Sequence, residues 1–209
     1  MDSQLSLDRK TKKFESTISA SEGKRAIYID FEGFEDHPPS FIGVLVDGTF
    51  EQIILDERLS LAAQAKGLAV KSGAGVIGSL LKKATDEGRR IVAFSQHEKQ
   101  VCLKHYGIDL SPVYADARFV AKKWRTRALS MIEPKPRSLK DYLTIIGYER
   151  GAYLGDKQST QRIRAVQEML LKKGNYADLT ATVKAKWSKV LEHNSIDVMG
   201  MEALVKHTL

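Results

Sequence analysis

The chain has 209 residues, a formal net charge of +7 and a single cysteine. A chain of this length buries about 70% of the surface its unfolded form exposes, so it needs no disulfides, and the lone Cys102 excludes an internal disulfide or a multi-cysteine zinc site. No apolar run approaches the roughly 18 residues that cross a bilayer, and the polar opening of the chain lacks the apolar core of a signal peptide, so a soluble cytoplasmic domain is expected.

Residues 1–23 have low hydrophobicity and no period, and read as a flexible lead-in to a domain spanning 24–209. Ala26-Ile27-Tyr28-Ile29-Asp30-Phe31-Glu32 is β-branched and aromatic and reads as a strand. Gly33 and Asp36-His37-Pro38-Pro39 break it. Residues 41–46 and 49–55 form two further strands, joined at Asp47-Gly48, a pair suited to the positive φ of a type I′ hairpin turn. Residues 59–68 are Ala-rich and read as helical. Val76, Ile77, Leu80, Leu81 and Ala84 follow a helical period that Gly88 ends. Residues 90–94 read as a short buried strand, and Ser95 opens a helix that Gly107 ends. Residues 113–116 suggest a fifth strand, and the remainder is helical over 117–130, 138–146, 159–173 and 178–206. The order βββαβαβα predicts an α/β fold: a mixed sheet, antiparallel at its start, with flanking helices and a helical C-terminal part.

The charge is not spread evenly. Residues 117–140 carry eight basic residues, Arg118, Lys122, Lys123, Arg125, Arg127, Lys135, Arg137 and Lys140, against one acidic residue, and so match the whole excess of the chain. Such a segment is either a solvated helix face or the footprint of a polyanion, bound through phosphate neutralisation and counterion release.

Four places hold groups capable of chemistry. Asp30 and Glu32, two apart on a strand, point to one face and set two carboxylates side by side. Either that strand end is wet, or a hard divalent cation with oxygen ligands compensates the pair. His193 and Asp197 are four apart on the last helix, among residues expected to pack inward; the plain alternative is a surface i,i+4 pair. Ser95 and Glu98 fit a capping box, or else Glu98 is a third carboxylate aimed at the sheet end. Asp116, between a strand and a helix, fits an N-cap, with a secondary role at a metal site as the alternative.

Together these fragments resemble a family. Tyr28-Ile29-Asp30-Phe31-Glu32-Gly33, the hairpin after it, Ser138-Leu139-Lys140-Asp141-Tyr142 with Gly147-Tyr148-Glu149-Arg150, and Trp187 through His193-Asn194-Ser195-Ile196-Asp197-Val198 are similar to the YprB-type ribonuclease H-like nuclease domains of the DEDD 3′–5′ exonuclease superfamily. The resemblance covers about residues 25–206. It implies a ribonuclease H-like fold and a metal-dependent nuclease, a 3′–5′ exonuclease on DNA or RNA with a single-stranded 3′ end as substrate. Asp30 and Glu32 match the first acidic motif and Asp197 the last. Glu98 falls where the wider superfamily has Asp and this subgroup often has Glu, and Asp116 matches a secondary acidic position. The four carboxylates would hold two Mg²⁺ or Mn²⁺ ions about 4 Å apart, with His193 as general base. Arg118, Lys122, Lys123, Arg125, Arg127, Arg137 and Lys140 would track phosphates, and Trp124, Tyr142 and Tyr148 are either core or ordinary surface residues or candidates for base stacking. The alternatives are a non-catalytic nucleic-acid-binding module and a structure-specific endonuclease on the same fold.

Overall fold

The computed structural model describes residues 13–128, 135–149, 151 and 158–209. Its elements, in chain order, are α1 (Ala20–Arg25), β1 (Ile27–Glu32), β2 (Phe41–Val46), β3 (Thr49–Ile54), a 3₁₀ turn (Glu57–Leu59), α2 (Ser60–Gln64), β4 (Ala69–Val70), α3 (Gly73–Asp86), β5 (Ile91–Ala93), α4 (His97–Tyr106), β6 (Tyr114–Asp116), α5 (Ala117–Ala128), α6 (Leu139–Ile145), α7 (Ser159–Lys173) and α8 (Ala181–Thr208).

The protein is α/β, and its strands form one mixed sheet in the order β4-β3-β2-β1-β5-β6. β1, β2 and β3 pair antiparallel, with Asp47 and Gly48 both at positive φ in the hairpin turn. β1 pairs parallel with β5, and β5 with β6. Side chains alternate across β1. Ile27 and Ile29 pack with Val76 and Ile77 of α3 and Cys102 of α4 on one face. Tyr28, on the opposite face, packs with Val198, Met201 and Leu204 of α8 and with Leu139 and Leu143 of α6. Period-two alternation puts Asp30 and Glu32 on that second face, toward α8.

α8 has 28 residues, about 42 Å at 1.5 Å per residue. Its first half, with Trp187, Val190 and Leu191, joins α7 and α2 in a separate apolar cluster around Phe41 and Leu59. Its second half covers the sheet. His193, Asn194 and Asp197 lie between these two anchored stretches, so packing on either side fixes where they sit.

The sequence expectations need several corrections. The helix expected over 59–68 is only Ser60–Gln64, because Leu68 turns back to let Ala69–Val70 add a sixth, parallel strand beside β3. A two-residue strand has no period to read. An element order of βββαβαβα therefore becomes one with an extra edge strand and a leading helix. Residues 13–23, expected as part of a flexible lead-in, are folded against the domain. Ser19 and Glu22 form a capping box on α1, Ile18 is buried, and the Arg90 guanidinium reaches the carbonyls of Phe14 and Thr17 while lying 3.7 Å from the Phe14 ring centroid. Phe14 and Ile18 are four apart, a pattern too short to register against the polar composition around it. Residues 1–12 of that expected segment, the end of the helix expected over 117–130, and Arg150 of the motif near the chain's middle lie outside the described residues.

Candidate active site

Three adjacent strands supply the floor. In the sheet register Asp30 of β1 stands opposite Gly43 of β2, and Gly43 opposite Gln52 of β3. Asn194 of α8 lies over this row. Its side-chain amide donates to the Asp30 carboxylate at 2.9 Å and to the Asp30 carbonyl at 3.0 Å, and its oxygen accepts from Gln52 Nε2 at 2.9 Å. Gln52 also donates to the Leu191 carbonyl at 2.8 Å. The glycine is required here: a Cβ at residue 43 would stand 2.2 Å from Asn194 Oδ1 and 3.0 Å from Val198 Cγ2. The absent side chain admits the helix, and the helix brings a fully buried amide onto Asp30.

Acidic groups from three elements surround that carboxyl. Burial is the main cause that pushes Asp30 well above the usual carboxylate range, and the neighbouring charges of Glu32, Asp197 and Glu98 add to it in that order, while the Asn194 hydrogen bond works against it. His193 Nε2 is 3.3 Å from Asp197 Oδ2 and 3.9 Å from Glu32 Oε1. The side chains of Glu32, His193 and Asp197 are between 11% and 18% exposed. The His193–Asp197 pair is therefore lodged between α8 and the end of β1, not on an open helix surface.

Glu98 approaches from the first turn of α4 and is buried. Burial raises its carboxyl to about 7, with help from the charge of Asp116; hydrogen bonds from Ser95 and from its own backbone oppose the rise. The capping box expected at Ser95 takes a different form. α4 begins at His97, and the N-cap residue Gln96 makes no side-chain cap. Ser95 Oγ instead accepts from the His97 amide at 3.1 Å and donates to Glu98 at 3.2 Å. The Tyr114 hydroxyl donates to the Ser95 carbonyl, tying this turn to β6. Ser95 thus restrains Glu98, whose charge in turn helps to raise the Asp30 carboxyl.

Asp116 is a cap. Its Oδ1 accepts from the amides of Arg118 at 2.9 Å and Phe119 at 3.3 Å, and its Oδ2 accepts from Gln96 at 3.1 Å. It caps the start of α5, and its charge is one of those that raise the Glu98 carboxyl.

The basic segment runs away from this point along α5. Lys122, Lys123 and Arg127 are exposed and line a cavity of about 860 Å³ between α5 and residues 16–20. Lys123 Nζ donates to the Ser16 carbonyl at 2.8 Å. Arg118 and Arg125 are half-buried, while Lys135, Arg137 and Lys140 are exposed around the start of α6. Of the aromatic residues weighed for base stacking, Tyr142 takes the core alternative, while Trp124 and Tyr148 are half-buried. Tyr142 is fully buried beside Phe94, and Trp124 makes an edge contact with His207 at 5.2 Å between centroids. Tyr148 is half-buried against the same core.

Asn194, Gln52 and Gly43 escape a reading by residue type. Gly43 is the one that leaves a trace: a glycine inside a strand marks a close approach of another element. Among the described residues, no three Asp, Glu, His or Cys side chains form a ready-made cage for a metal ion. The donor set is nonetheless oxygen-rich and short of positive charge, which is the chemistry that a hard divalent cation satisfies. No protein-family model, curated protein or solved structure matches the chain.

Proposed function

We infer that the chain is a divalent-metal-dependent nuclease with a ribonuclease H-like fold, acting as a 3′–5′ exonuclease on the phosphodiester bonds of DNA or RNA. The observation that carries this reading is Asp30: a carboxyl held by Asn194 and crowded by acidic groups from β1, α4 and α8. Clustering like charges in a half-buried place is costly without a compensating cation. A sheet that opens with an antiparallel trio and continues through parallel crossovers fits the ribonuclease H-like architecture.

Asp30, Glu32, Glu98 and Asp197 would hold Mg²⁺ or Mn²⁺. Bound there, such ions supply positive charge that lowers the barrier for attack on phosphorus and departure of the 3′ oxygen. The chain's own residues do the rest. Asn194 fixes the Asp30 carboxylate. His193, with Nε2 turned toward Glu32 and Asp197, accepts the proton of the attacking water at that nitrogen. The cations along α5 and around α6 hold the strand by its phosphates, without reading bases.

Cleavage of 5′-labelled single strands of DNA and RNA in Mn²⁺ tests the reading. Wild type is expected to shorten them from the 3′ end, and Asp30→Ala to lose about a thousandfold in rate, the equivalent of about 4 kcal/mol of transition-state stabilisation. Closed circles are expected to survive, which separates the exonuclease from an endonuclease. Absence of cleavage by wild type on every strand, with Asp30→Ala indistinguishable from it, overturns the reading.

A further inference from the structure

The cavity of about 860 Å³ between α5 and residues 16–20 joins two kinds of surface. Ile18, Ala20, Phe119 and Leu209 give it an apolar lining, and Lys122, Lys123 and Arg127 stand along one wall. No Asp or Glu is among the described residues that line it. The α5 wall is a single stripe: Phe119, Lys122, Lys123 and Arg127 lie at i, i+3, i+4 and i+8, on one helix face. Val120 and Ala121 turn the other way, into the core. From Phe119 to Arg127 the stripe runs about 12 Å, a little over two helical turns.

The groove is built before anything enters it. Lys123 Nζ donates to the Ser16 carbonyl at 2.8 Å, Arg90 donates to the Thr17 carbonyl at 3.1 Å, and Ile18 is buried. The wall facing α5 is thereby fixed, which spares an incoming ligand the cost of ordering it. Phe119 is 39% exposed and Leu209 46%, so apolar surface beside the cations is left to water. The charge calls for an anion, and the lining selects among anions. Phosphates on a strand would use the cations and leave Ile18, Ala20 and Leu209 wet. Lys122 Nζ lies over the Phe119 ring, 5.6 Å from its centroid, where a base would have to stack. A flat bilayer does not enter a groove. An amphipathic helix with an acidic flank meets both surfaces.

We propose that this groove docks a protein partner through an acidic amphipathic helix, its apolar stripe seated on Ile18, Phe119 and Leu209 and its carboxylates on Lys122, Lys123 and Arg127. The docking rests on the groove alone and not on the nuclease reading. On that reading Lys122 and Arg127 also serve the strand, so the apolar lining is what tells the two ligands apart. Two turns of helix match the length of the stripe, and anchors at i, i+3, i+4 and i+7 span it. The apolar contact supplies most of the affinity, while the cations set the orientation and the rate of encounter.

The probe is a labelled peptide about 14 residues long, with Leu at i, i+3, i+4 and i+7 and mainly Glu and Ala elsewhere, titrated with the full chain by fluorescence anisotropy. Wild type is expected to bind it saturably at micromolar concentration, and to bind the same peptide with Ser for Leu at least about tenfold more weakly. Phe119→Ser, at an exposed position, is expected to weaken the Leu peptide about tenfold and to leave the affinity for a single strand of DNA or RNA unchanged. Lys122→Gln with Arg127→Gln is expected to weaken the peptide about fivefold at low salt and hardly at all at high salt. Leu171→Ser, at the exposed end of α7, is expected to change neither affinity. Failure of wild type to bind the Leu peptide overturns the proposal. Equal binding of the Leu and Ser peptides also overturns it, since the attraction is then one of charge alone. A loss for Leu171→Ser equal to that for Phe119→Ser places the peptide elsewhere and overturns it too. If Phe119→Ser weakens the strand as much as the peptide, the lining belongs to the path of the nucleic acid, and the docking is overturned with the nuclease reading intact. Peptide binding that Phe119→Ser weakens, in a chain that cleaves no strand, overturns the nuclease reading and keeps the docking.

Discussion

Glu98 shows how one side chain can carry the tension of the whole site. Its carboxyl is raised from an ordinary value of 4.5 to about 7, chiefly by burial. Asp30 is raised in the same direction for the same main reason. A carboxyl with a higher pKa folded than unfolded stabilises the fold while it is protonated in both states. That contribution is full below about pH 4.5 and is lost as pH rises through about 7. A displacement of this size corresponds to about 3 kcal/mol. In chelator-treated protein, unfolding by urea followed by circular dichroism is expected to show stability falling from pH 5 to pH 8. Glu98→Gln keeps the shape and removes the titration, so its curve is expected to be flatter and to lie above wild type at pH 8. Asp30 leaves a residual slope. Parallel curves for the two proteins would show that Glu98 is solvated and not a strained member of the cluster.

At the level of elements, the site depends on how closely α8 approaches β2. Gly43 makes that approach possible, since a Cβ there would meet Asn194 Oδ1 at 2.2 Å. Gly43→Ala is expected to cost about 3 kcal/mol, toward the upper end for an overpacked site that also loses a buried hydrogen bond. Thermal unfolding measures the cost. If the row Asp30–Gly43–Gln52 is the seat of Asn194, activity is expected to fall further than the lost folded fraction explains. The same contrast explains what could be read beforehand. β1, β2, β3, β5 and β6 and the long helices announced themselves through alternation, helical period and the Asp47-Gly48 turn. β4 did not, because two residues between helices carry no pattern. The acidic residues were legible as types at meaningful spacing. Their meeting was implied by the family resemblance alone and not by spacing, because Glu98, Glu32 and Asp197 are far apart in sequence and only the parallel pairing of β1 with β5 and the course of α8 bring them together. Gln52 was silent for a related reason: its partner, Asn194, is 142 residues away.

Across the whole molecule, charge is sorted by place. The carboxylates gather where α8 crosses the end of β1, while the positive excess follows α5 from Asp116 onward and continues around the start of α6. Arg127 is eleven residues beyond Asp116, about 16 Å along a helix axis. On the proposed reading, a strand with its 3′ end at the carboxylates and its body on α5 would span that distance. This division predicts that affinity and chemistry can be changed separately. Lys122 and Arg127 are exposed, six and eleven residues beyond Asp116, and touch none of the acidic groups of the site in any hydrogen bond or ion pair among the described residues, so Lys122→Gln with Arg127→Gln is expected to leave kcat unchanged. Each cation that neutralises a phosphate on a single strand contributes about 0.7 to the slope of log K against log salt. The double variant is expected to lower that slope by about 1.4 between 50 and 200 mM salt, in binding titrations by fluorescence anisotropy. Charge placed elsewhere offers an internal comparison. Lys82 is tied to Asp86 at 2.5 Å on α3, which packs on the opposite face of the sheet, and Lys82→Gln is expected to leave the slope where it was. A slope that moves equally for Lys82 and for the α5 pair would mean that the protein attracts nucleic acid by its net charge alone, with no path for the strand along α5.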